Sequence, residues 1–433
     1  MKVLLLTDEV WNDTVYKNNI LSNWFNDSAF ELANIYLAPG VPENKCCSKY
    51  FQITDKMMLK SLLTKQKAGV KFSTLDKEQA KYKIKINKKE SNKYLRPHRK
   101  TASAETIRFF NDILWMRGKF DKTSLSSFIQ DFDPDIIFSL RQASRKMLNL
   151  ERVIANLTDK PIVVFSGDDE YLLDQFKISP LYWLRRFHLR KDLRKNMKFY
   201  RKYYTLSEKQ ADLYKDIFKV DTGVLRKSGE FRDNFNIKEV HFPVKLVYAG
   251  SLNNNRWKIL IQIKKALEKM NKNTTRMTLS IYPSDKITKH QKNLLADGIQ
   301  TFIKPPVTAD EFKKVYRNAD IILLLEAFDK KNRKQKKFNF SEKVVDCLAS
   351  NCCTLAICPI DNPGYEYLNK QDAAVCIENT RRIYGALKKL YLQHAMMYEY
   401  QKKAWECGIY NHRKSVIQDK LYKDFKNIVD TKN

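Results

Sequence analysis

The chain has 433 residues, more than the ~250–300 at which a single hydrophobic core stops growing, so its length predicts two domains of about 200 residues each. Hydrophobic residues make up 43% of the chain and aromatic residues 12%, which excludes a disordered polymer. Lysine and arginine number 80 against 49 aspartates and glutamates, and the resulting net charge of +31 is enough to attract nucleic acid, anionic lipid or a phosphorylated substrate.

The beginning of the chain predicts a cytosolic protein. MKVLLLTDEV reaches acidic residues too soon for a signal peptide, and no stretch approaches the ~18–20 apolar residues of a membrane span. The eight cysteines include no Cys-x-x-Cys pair, so we expect reduced, mostly structural thiols.

The first half alternates short apolar runs with helix-length segments, which predicts a parallel sheet covered by helices. A lysine-rich stretch of poor periodicity, 56–100, is interpreted as a mobile surface insertion. The predicted strands are Val3–Leu6, Asn34–Leu37, Asp135–Leu140, Ile162–Phe165, Tyr203–Leu206 and Gly223–Leu225.

The second half repeats this alternation and predicts a second complete parallel α/β domain. Its predicted strands are Lys245–Ala249, Met277–Tyr282, Thr301–Ile303, Asp320–Leu325, Thr354–Cys358 and Ala374–Ile377. Charged residues, a glycine and a proline between the two series predict a linker. The expected organisation is a first domain over 1–229, a linker over 230–243, a second domain over 244–410, and a last helix over 411–433 that packs back on the first domain.

One motif with possible ligand chemistry follows the first strand of the second half. Gly250 and Ser251 end that strand, and Arg256 opens the next helix. Glycine lets a backbone approach a ligand closely, a helix N-terminus attracts phosphate, and arginine adds a fork of donors. Taken alone, an ordinary strand-turn-helix connection with a solvated arginine explains this stretch better.

A second motif combines a strand that ends at Glu326 with the helical sequence Phe340–Ser350. Ser341 is the predicted N-cap, and its hydroxyl with Lys343 would suit a diphosphate. Asp346, farther along the helix, could accept hydrogen bonds from ribose hydroxyls. The alternative is a capped amphipathic helix whose charges face water.

The order of these motifs from Leu246 to Asn379 resembles the donor domain of family 4-like GT-B glycosyltransferases, especially bacterial enzymes of capsule and exopolysaccharide assembly. Strand-Gly-Ser-Leu, Arg-Trp at the first helix and Phe-Ser-x-Lys-x-x-Asp-x-Leu-Ala-Ser carry the resemblance. It implies two Rossmann-like, doubly wound domains that face a cleft, and transfer of a sugar from a UDP- or GDP-sugar to a saccharide or lipid-linked acceptor.

The resemblance also implies roles for individual residues. Arg256 matches one of two basic residues that hold the diphosphate in that family, and Asp346 matches its ribose carboxylate. Ser251 stands where the second cation is usual, and the first glutamate of the family's pair falls on Phe338. Lys343 and Glu326 are the candidates for the missing contacts, and the departing nucleoside diphosphate would be stabilised by cations and helix dipoles.

The first half resembles the family more loosely, through loops after its first and last strands. Such loops follow the carboxyl ends of parallel strands, where ligands bind in this fold class. Asp8, Glu9 and Asp13 are candidates for a general base if the enzyme inverts. The candidate acceptor-side residues are Trp11, Asn18 and Asn19.

A basic segment, Leu181–Tyr204, has nine lysines and arginines around one aspartate, the composition of an interfacial helix on an anionic membrane. Its docking residues are expected to be Trp183, Arg185, Arg186, Arg190 and Arg194. We therefore expect a peripheral protein on the inner face of the cell membrane. A core helix with a basic polar face fits the same pattern.

Six dispersed histidines and short acidic pairs such as Asp168-Asp169 lack the spacing of metal ligands, so no metal is expected. The main alternative function is a nucleic-acid-binding protein without enzymatic activity, suggested by the charge and the aromatic content. No recognition motif for RNA or DNA supports it. An epimerase or a phosphorylase is a weaker alternative, because the chain lacks an evident carboxylate-histidine set for the first and the length for the second. The sequence leaves open the sugar, the linkage and whether the enzyme retains or inverts.

Overall fold

The computed structural model describes residues 1–15, 19–75, 102–175, 177–307 and 309–431. Its contacts divide the chain into two compact units, one formed by Met1–Leu225 with Gln418–Asn433 and the other by Arg226–Ile417. Each unit is built on its own sheet, with helices between most of its consecutive strands. The predicted α/β class with two parallel-sheet domains is therefore confirmed.

The first unit contains an eight-stranded sheet in the order β4-β3-β2-β1-β5-β6-β7-β8. All neighbouring strands pair in parallel except β3 and β4. The strands are β1 (Lys2–Thr7), β2 (Glu31–Tyr36), β3 (Cys47–Gln52), β4 (Val70–Ser73), β5 (Ile136–Arg141), β6 (Ile162–Ser166), β7 (Tyr200–Thr205) and β8 (Thr222–Val224).

The helices of the first unit cover this sheet with a core rich in aromatic and branched side chains. They are α1 (Ile20–Phe25), α2 (Asp55–Leu63), α3 (Ala102–Arg117), α4 (Lys122–Phe132), α5 (Arg145–Ala155), α6 (Pro180–Asn196) and α7 (Glu208–Phe218).

The sequence pattern missed β3 and β4, and part of the predicted insertion is ordered structure. Thr54 caps α2 through a hydrogen bond from the Met57 amide to its hydroxyl, and β4 pairs with β3. The interpretation of 56–75 as an insertion is therefore wrong, because Met58 and Phe72 in this stretch are core residues. Residues 76–100 of the predicted insertion lie outside the described residues.

The second unit contains a six-stranded, entirely parallel sheet in the order β11-β10-β9-β12-β13-β14. All six predicted strands are present, within one or two residues at their ends. They are β9 (Val244–Gly250), β10 (Met277–Pro283), β11 (Thr301–Ile303), β12 (Ile321–Leu325), β13 (Cys353–Ile357) and β14 (Val375–Ile377).

The helices of the second unit alternate with these strands and are followed by two long helices. They are α8 (Arg256–Met270), α9 (Lys289–Leu295), α10 (Ala309–Arg317), α11 (Lys330–Lys336), α12 (Lys343–Leu348), α13 (Pro363–Lys370), α14 (Ile383–Leu392), α15 (His394–His412) and α16 (Lys414–Asp430). From Gln418 onward α16 belongs to the first unit.

The last helix, from Gln418 onward, packs within the first unit. Phe425 is fully buried against Phe30 and Phe138, with ring centroids 5.7 Å away in both cases. The Gln418 side-chain amide donates to the Trp24 carbonyl at 3.0 Å, and Tyr204 donates its hydroxyl proton to Asp424. Burial of these apolar faces holds the terminal helix in place.

Both sheets reverse their strand order beside their first strand. In the first unit β1 lies between β2 and β5, and in the second unit β9 lies between β10 and β12. In doubly wound sheets ligands bind at such a switch point, beyond the carboxyl ends of the strands. The candidate ligand-binding residues are therefore those that follow β1, β5, β9 and β12.

Candidate functional site

The switch point of the second sheet lies between the ends of β9 and β12. Gly250 ends β9 with φ +140°, a conformation that residues with a side chain rarely adopt. Glu326 follows β12 directly and is 5% exposed. The sheet thus brings together two of the predicted donor-site residues, Gly250 and Glu326, which are far apart in sequence.

Lys343, the first residue of α12, occupies the space above Gly250. A Cβ atom added at Gly250 would lie only 1.8 Å from the Lys343 Nζ and 2.6 Å from its Cε. Burial lowers the pKa of Lys343, and the nearby Arg256 lowers it further. Its ammonium group lies 5.3 Å from the centre of the Tyr248 ring, and among the described residues it forms no ion pair. A partly buried cation of this kind is suited to an incoming anion.

Arg256 begins α8 and is fixed by Glu326. Its Nη2 donates to both carboxylate oxygens, at 2.8 and 2.9 Å, and its Nε donates to the Leu325 carbonyl at 3.0 Å. Both side chains are nearly buried, which makes this bidentate pair geometrically strict. Nη1 has no hydrogen-bond partner among the described residues, so Arg256 can contact one more anion without breaking the pair.

The loop between β9 and α8 is closed by its own hydrogen bonds. Ser251 donates its hydroxyl proton to Asp285, and the Leu252 amide donates to the same carboxylate oxygen at 3.0 Å. Asn255 adopts φ +63° and donates its side-chain amide to Asp329 at 3.0 Å. Ser251 therefore helps to shape the loop, and its predicted contact with a donor stays a prediction.

The start of α12 differs from the prediction. The helix begins at Lys343 and its N-cap position is Glu342, so the expected cap by Ser341 is wrong. The Ser341 carbonyl takes part in the helix start, as acceptor of the Val344 amide at 3.0 Å. Glu342 has helical backbone angles, which places the Ser341 hydroxyl one residue too early to receive the usual capping bond.

Asp346 lies on α12 in the first turn and forms an ion pair that sequence reasoning did not find. Lys227 Nζ lies 2.8 Å from its Oδ1, and the Asp346 side chain is 42% exposed. The exposed fraction leaves the second carboxylate oxygen able to accept further hydrogen bonds. Lys227 stands in the segment that precedes β9, and no local motif marks it; only the fold brings it to Asp346.

In the first unit the residues after β1 are held by neighbouring side chains. Asp8 forms an ion pair with Lys146 of α5. Partial desolvation and the charge of Asp8 raise the pKa of Glu9, although its side chain remains exposed to solvent. Raising the pKa of a carboxyl group brings it toward the range of a general base at neutral pH.

The other predicted residues of this loop have structural contacts. Trp11 is fully buried and donates its indole N–H to Ser22 at 2.7 Å, and Ser22 donates in turn to Asp13. Asn19 caps α1 by accepting the Leu21 amide at 3.0 Å. Asn18 lies outside the described residues. The roles of these residues toward an acceptor stay predictions.

The arginines of the basic helix α6 make contacts within the first unit. Arg185 pairs with Glu105 and Asp112, each at 2.9 Å. Arg186 is 6% exposed and pairs with Asp169 at 2.9 Å. Buried or paired arginines are poor candidates for lipid contact, so a docking role for this helix must rest on other side chains.

The remaining predicted docking residues of α6 also have partners. Arg190 and Arg194 lie 4.2 and 5.2 Å from the centre of the Tyr171 ring. Trp183 donates its indole N–H to the Lys177 carbonyl at 2.9 Å. Leu184 and Phe187 point outward instead, with 44% and 54% of their surfaces exposed.

Among the residues that the structure describes, no group of three or more histidine, cysteine, aspartate or glutamate side chains is placed to hold a metal ion. None of the helices in the described ranges combines the length and apolar character needed to cross a membrane.

Comparison with solved structures identifies the fold. A trehalose-phosphate synthase (UDP-forming) from Burkholderia vietnamiensis is 11% identical and superimposes with a TM-score of 0.54, over 99% of this chain and 100% of its own. HepE of Anabaena in complex with UDP is 9% identical, with a TM-score of 0.59 over 99% of this chain and 100% of its own.

A third structure, described as Escherichia coli trehalose-6-phosphate with UDP-2-fluoro glucose bound, is 9% identical with a TM-score of 0.56, over 98% of this chain and 99% of its own. No family model and no curated protein matches the sequence. The two parallel-sheet units thus have the GT-B fold.

Proposed function

We propose that this chain, which has the GT-B fold, is a glycosyltransferase that moves a sugar from a nucleotide-sugar donor to a hydroxyl group of a saccharide acceptor. The observation that carries the proposal is Lys343 poised over Gly250 at the switch point of the second sheet. Backbone that a ligand can approach and an ammonium group without an ion-pair partner in the described part of the chain occur together there. This is the chemistry that a diphosphate requires.

The donor is proposed to bind with its diphosphate against Lys343 and the Nη1 of Arg256. Glu326 fixes the guanidinium of Arg256 and is proposed to orient it, a role different from direct contact with the donor. Asp346 on the same helix as Lys343 would accept hydrogen bonds from the ribose hydroxyls. UDP is bound in the structure of Anabaena HepE, which makes UDP the first nucleotide to test.

The cations would act most strongly as the glycosidic bond to the nucleotide breaks. Negative charge then develops on the departing diphosphate, and preorganised donors in a partly buried site stabilise it without rearrangement. A protonated Lys343 provides such a donor, and the approaching phosphate favours its protonated form. The acceptor hydroxyl must be deprotonated at some stage, and Glu9 is the proposed base among the three candidates because partial desolvation and the neighbouring Asp8 raise its pKa.

Binding of a nucleoside diphosphate without a divalent ion is the direct test of the donor proposal. Calorimetry with UDP and GDP in EDTA is expected to show one binding site for at least one of them, because the cations of the site are side chains. Addition of Mg²⁺ should change the affinity less than threefold, an order-of-magnitude bound for weak electrostatic effects. Binding that disappears on chelation would contradict the metal-independent proposal.

Replacing Asp346 with alanine tests the ribose contact. We expect donor affinity to fall about tenfold or more, since a hydrogen bond to a charged group contributes ~1.5–3 kcal/mol. Lys227→Met is the matched control, because it breaks the same ion pair but keeps the carboxylate. Equal losses in both variants would assign Asp346 a structural role, and unchanged affinity in Asp346→Ala would refute the ribose contact.

We also propose that the acceptor is lipid-linked or part of a growing polysaccharide and that α6 docks the first unit on an anionic membrane. The outward side chains Leu184 and Phe187 and the exposed Lys191 and Lys195 form one stripe of the helix. Apolar insertion with basic residues near anionic lipid gives reversible binding, at about 1 kcal/mol per basic residue.

Liposome co-sedimentation tests the docking proposal. Capture by vesicles with phosphatidylglycerol should decrease in high salt and in the variant Lys191→Gln/Lys195→Gln/Phe187→Ser. The control is the double variant Lys265→Gln/Lys272→Gln in the second unit, which removes one exposed charge from α8 and one from the segment that follows it. It should sediment like the wild type. Indifference to lipid charge, or equal loss in both variants, would contradict docking through α6.

The nucleic-acid-binding alternative has no specific observation in its favour. Arg185 of α6 pairs with two carboxylates, Arg256 is bound by Glu326, and Lys343 lies over Gly250 beside the candidate diphosphate site. A GT-B fold also explains both sheets, which a binding module for nucleic acid does not require.

A further inference from the structure

Helix α11, which follows β12 and Glu326, carries a dense positive charge. Six of the eight residues from Lys330 to Lys337 are lysine or arginine. Lys330 and Lys331 are exposed, and neither forms an ion pair with any residue that the structure describes. None of the contacts proposed for the donor uses these residues, so the function described above leaves their charge unexplained.

The local physics of α11 does not favour a helix of this composition. Its first turn contains no acidic residue, and Lys330 and Lys331 stand at the positive end of the helix dipole. Lys330 and Lys334 have like charges at the spacing i,i+4, which destabilises the helix further. Positions where a sequence departs from local preference are often functional.

The start of α11 is fixed beside the loop that leads to Arg256. Asp329 caps the helix by accepting the Asn332 amide at 3.1 Å. Asp329 also accepts the side-chain amide of Asn255 at 3.0 Å, and Asn255 directly precedes Arg256 in the chain. These bonds hold the first lysines of α11 at a defined place next to the proposed diphosphate contacts.

The inner face of α11 also lies close to these contacts. Arg333 and Lys336 line the same small cleft as Glu326, which binds Arg256. Arg333 is engaged there by Asp361, whose Oδ2 lies 3.0 Å from its Nη2. The cleft is too small to admit a phosphate or a sugar. The charge of α11 is therefore adjacent to the candidate donor site but does not form a second ligand pocket.

Charges placed in this way act on an anion before it binds. A helix of seven residues is about 10 Å long, so the lysines of α11 stand roughly one helix length or less from Asn255. The Debye length is ~8 Å at physiological ionic strength and ~30 Å at 0.01 M, so their field reaches the site and weakens with salt. Clustered charges of one sign can raise the association rate of an oppositely charged ligand by about 10–10³-fold.

We propose that α11 is an electrostatic steering element, whose exposed lysines speed the association of the anionic nucleotide-sugar with the site at Lys343 and Arg256 without contacting the bound donor. The inference rests on the proposed function and assigns a kinetic role to a helix that the donor contacts leave unused. Steering requires only charge and proximity, and α11 has both. Direct contact would require a pocket at α11 that can admit the ligand, and its cleft is too small for that role.

Stopped-flow measurements with fluorescently labelled UDP or GDP, whichever binds in calorimetry, test the proposal. At about 0.01 M ionic strength, the variant Lys330→Gln/Lys331→Gln should associate at least about threefold more slowly than the wild type. Its dissociation rate should be unchanged, because the lysines do not touch the bound nucleotide. At about 1 M salt, where the Debye length is only ~3 Å, the two association rates should become equal.

Two control variants separate local steering from other effects. Lys269→Gln/Lys272→Gln also removes two exposed charges from the second unit, at the end of α8 opposite to Arg256. That helix has 15 residues and is about 22 Å long, so this control should change the association rate less than about twofold. Lys330→Arg/Lys331→Arg keeps both charges and should associate as the wild type does.

The possible failures are distinguishable. An unchanged association rate in Lys330→Gln/Lys331→Gln at low salt would overturn the proposal. An equal decrease in the α8 control would overturn it too, because net charge alone would then explain the attraction. Faster dissociation with an unchanged association rate would show that α11 contacts the bound nucleotide, which also contradicts steering. Failure of the wild type to bind either nucleotide would refute the proposed function itself, and the inference with it.

Discussion

Replacing Lys343 with methionine is expected to reduce the affinity for the nucleoside diphosphate by about one to two orders of magnitude, with sugar transfer reduced at least as much. The ammonium group has no ion-pair partner among residues that the structure describes, and a hydrogen bond to a charged group contributes ~1.5–3 kcal/mol. Methionine keeps a similar unbranched stem, so the volume over Gly250 stays filled. Calorimetry and release of nucleotide measure the two effects.

The control for this variant is Lys258→Met, which removes an exposed charge of α8. The Lys258 ammonium group lies 5.8 Å from the centre of the Trp257 ring. It should bind the nucleotide nearly as the wild type does, because a surface charge contributes ~0–1 kcal/mol. A folded Lys343→Met protein with wild-type affinity would show that the diphosphate lies elsewhere.

The pH dependence of the same variant supplies a second readout. Burial lowers the pKa of Lys343, so the free protein loses this proton at a lower pH than an ordinary lysine would. Nucleotide affinity should therefore fall as pH rises through that pKa, and this slope should be absent in Lys343→Met. The free energy of unfolding should have the opposite trend, because the unfolded chain binds more protons than the folded one in that range.

Replacing Gly250 with alanine is expected to weaken nucleotide binding by at least about tenfold although no donor is removed. The new methyl group would lie 1.8 Å from the Lys343 Nζ, so the lysine must leave its place. Alanine is also strained at φ +140°, and we expect the free energy of unfolding to fall by about 1 kcal/mol or more.

Gly298→Ala separates the steric effect from the backbone strain. Gly298 has φ +73°, but a Cβ atom there would meet nothing within 4 Å. It should lose stability as Gly250→Ala does and keep its affinity for the nucleotide. Equal affinities in the two variants would show that the approach of Lys343 to Gly250 has no part in binding.

Much of the second unit could be predicted because its strands are buried runs bounded by polar turns. Ile321–Leu325 is buried along its whole length, and such a run has one consistent interpretation. In the first unit, β3 was missed because Ser48 and Lys49 interrupt its apolar pattern, and β4 was missed because it has only four residues. Short strands with one solvent-exposed face give only a weak apolar pattern in the sequence.

The candidate site was predictable only where its residues belong to a local motif. Gly250 and Lys343 were found from the motifs around them, but their contact depends on the order of the strands in the sheet. Lys227 was missed because its partner, Asp346, is distant in sequence. Membrane contact was expected of the arginines of α6 because of the basic composition of that segment. The partners of Arg185, Glu105 and Asp112, stand on α3, so the sequence of α6 alone does not indicate these ion pairs.

A crystal structure with the nucleoside diphosphate that binds in calorimetry tests the central claim most directly. The account predicts that a phosphate oxygen lies within hydrogen-bond distance of the Lys343 Nζ, beside the Gly250 backbone, with the ribose hydroxyls at Asp346. A nucleotide bound away from the end of β9, or a diphosphate that contacts neither Lys343 nor Arg256, would contradict it.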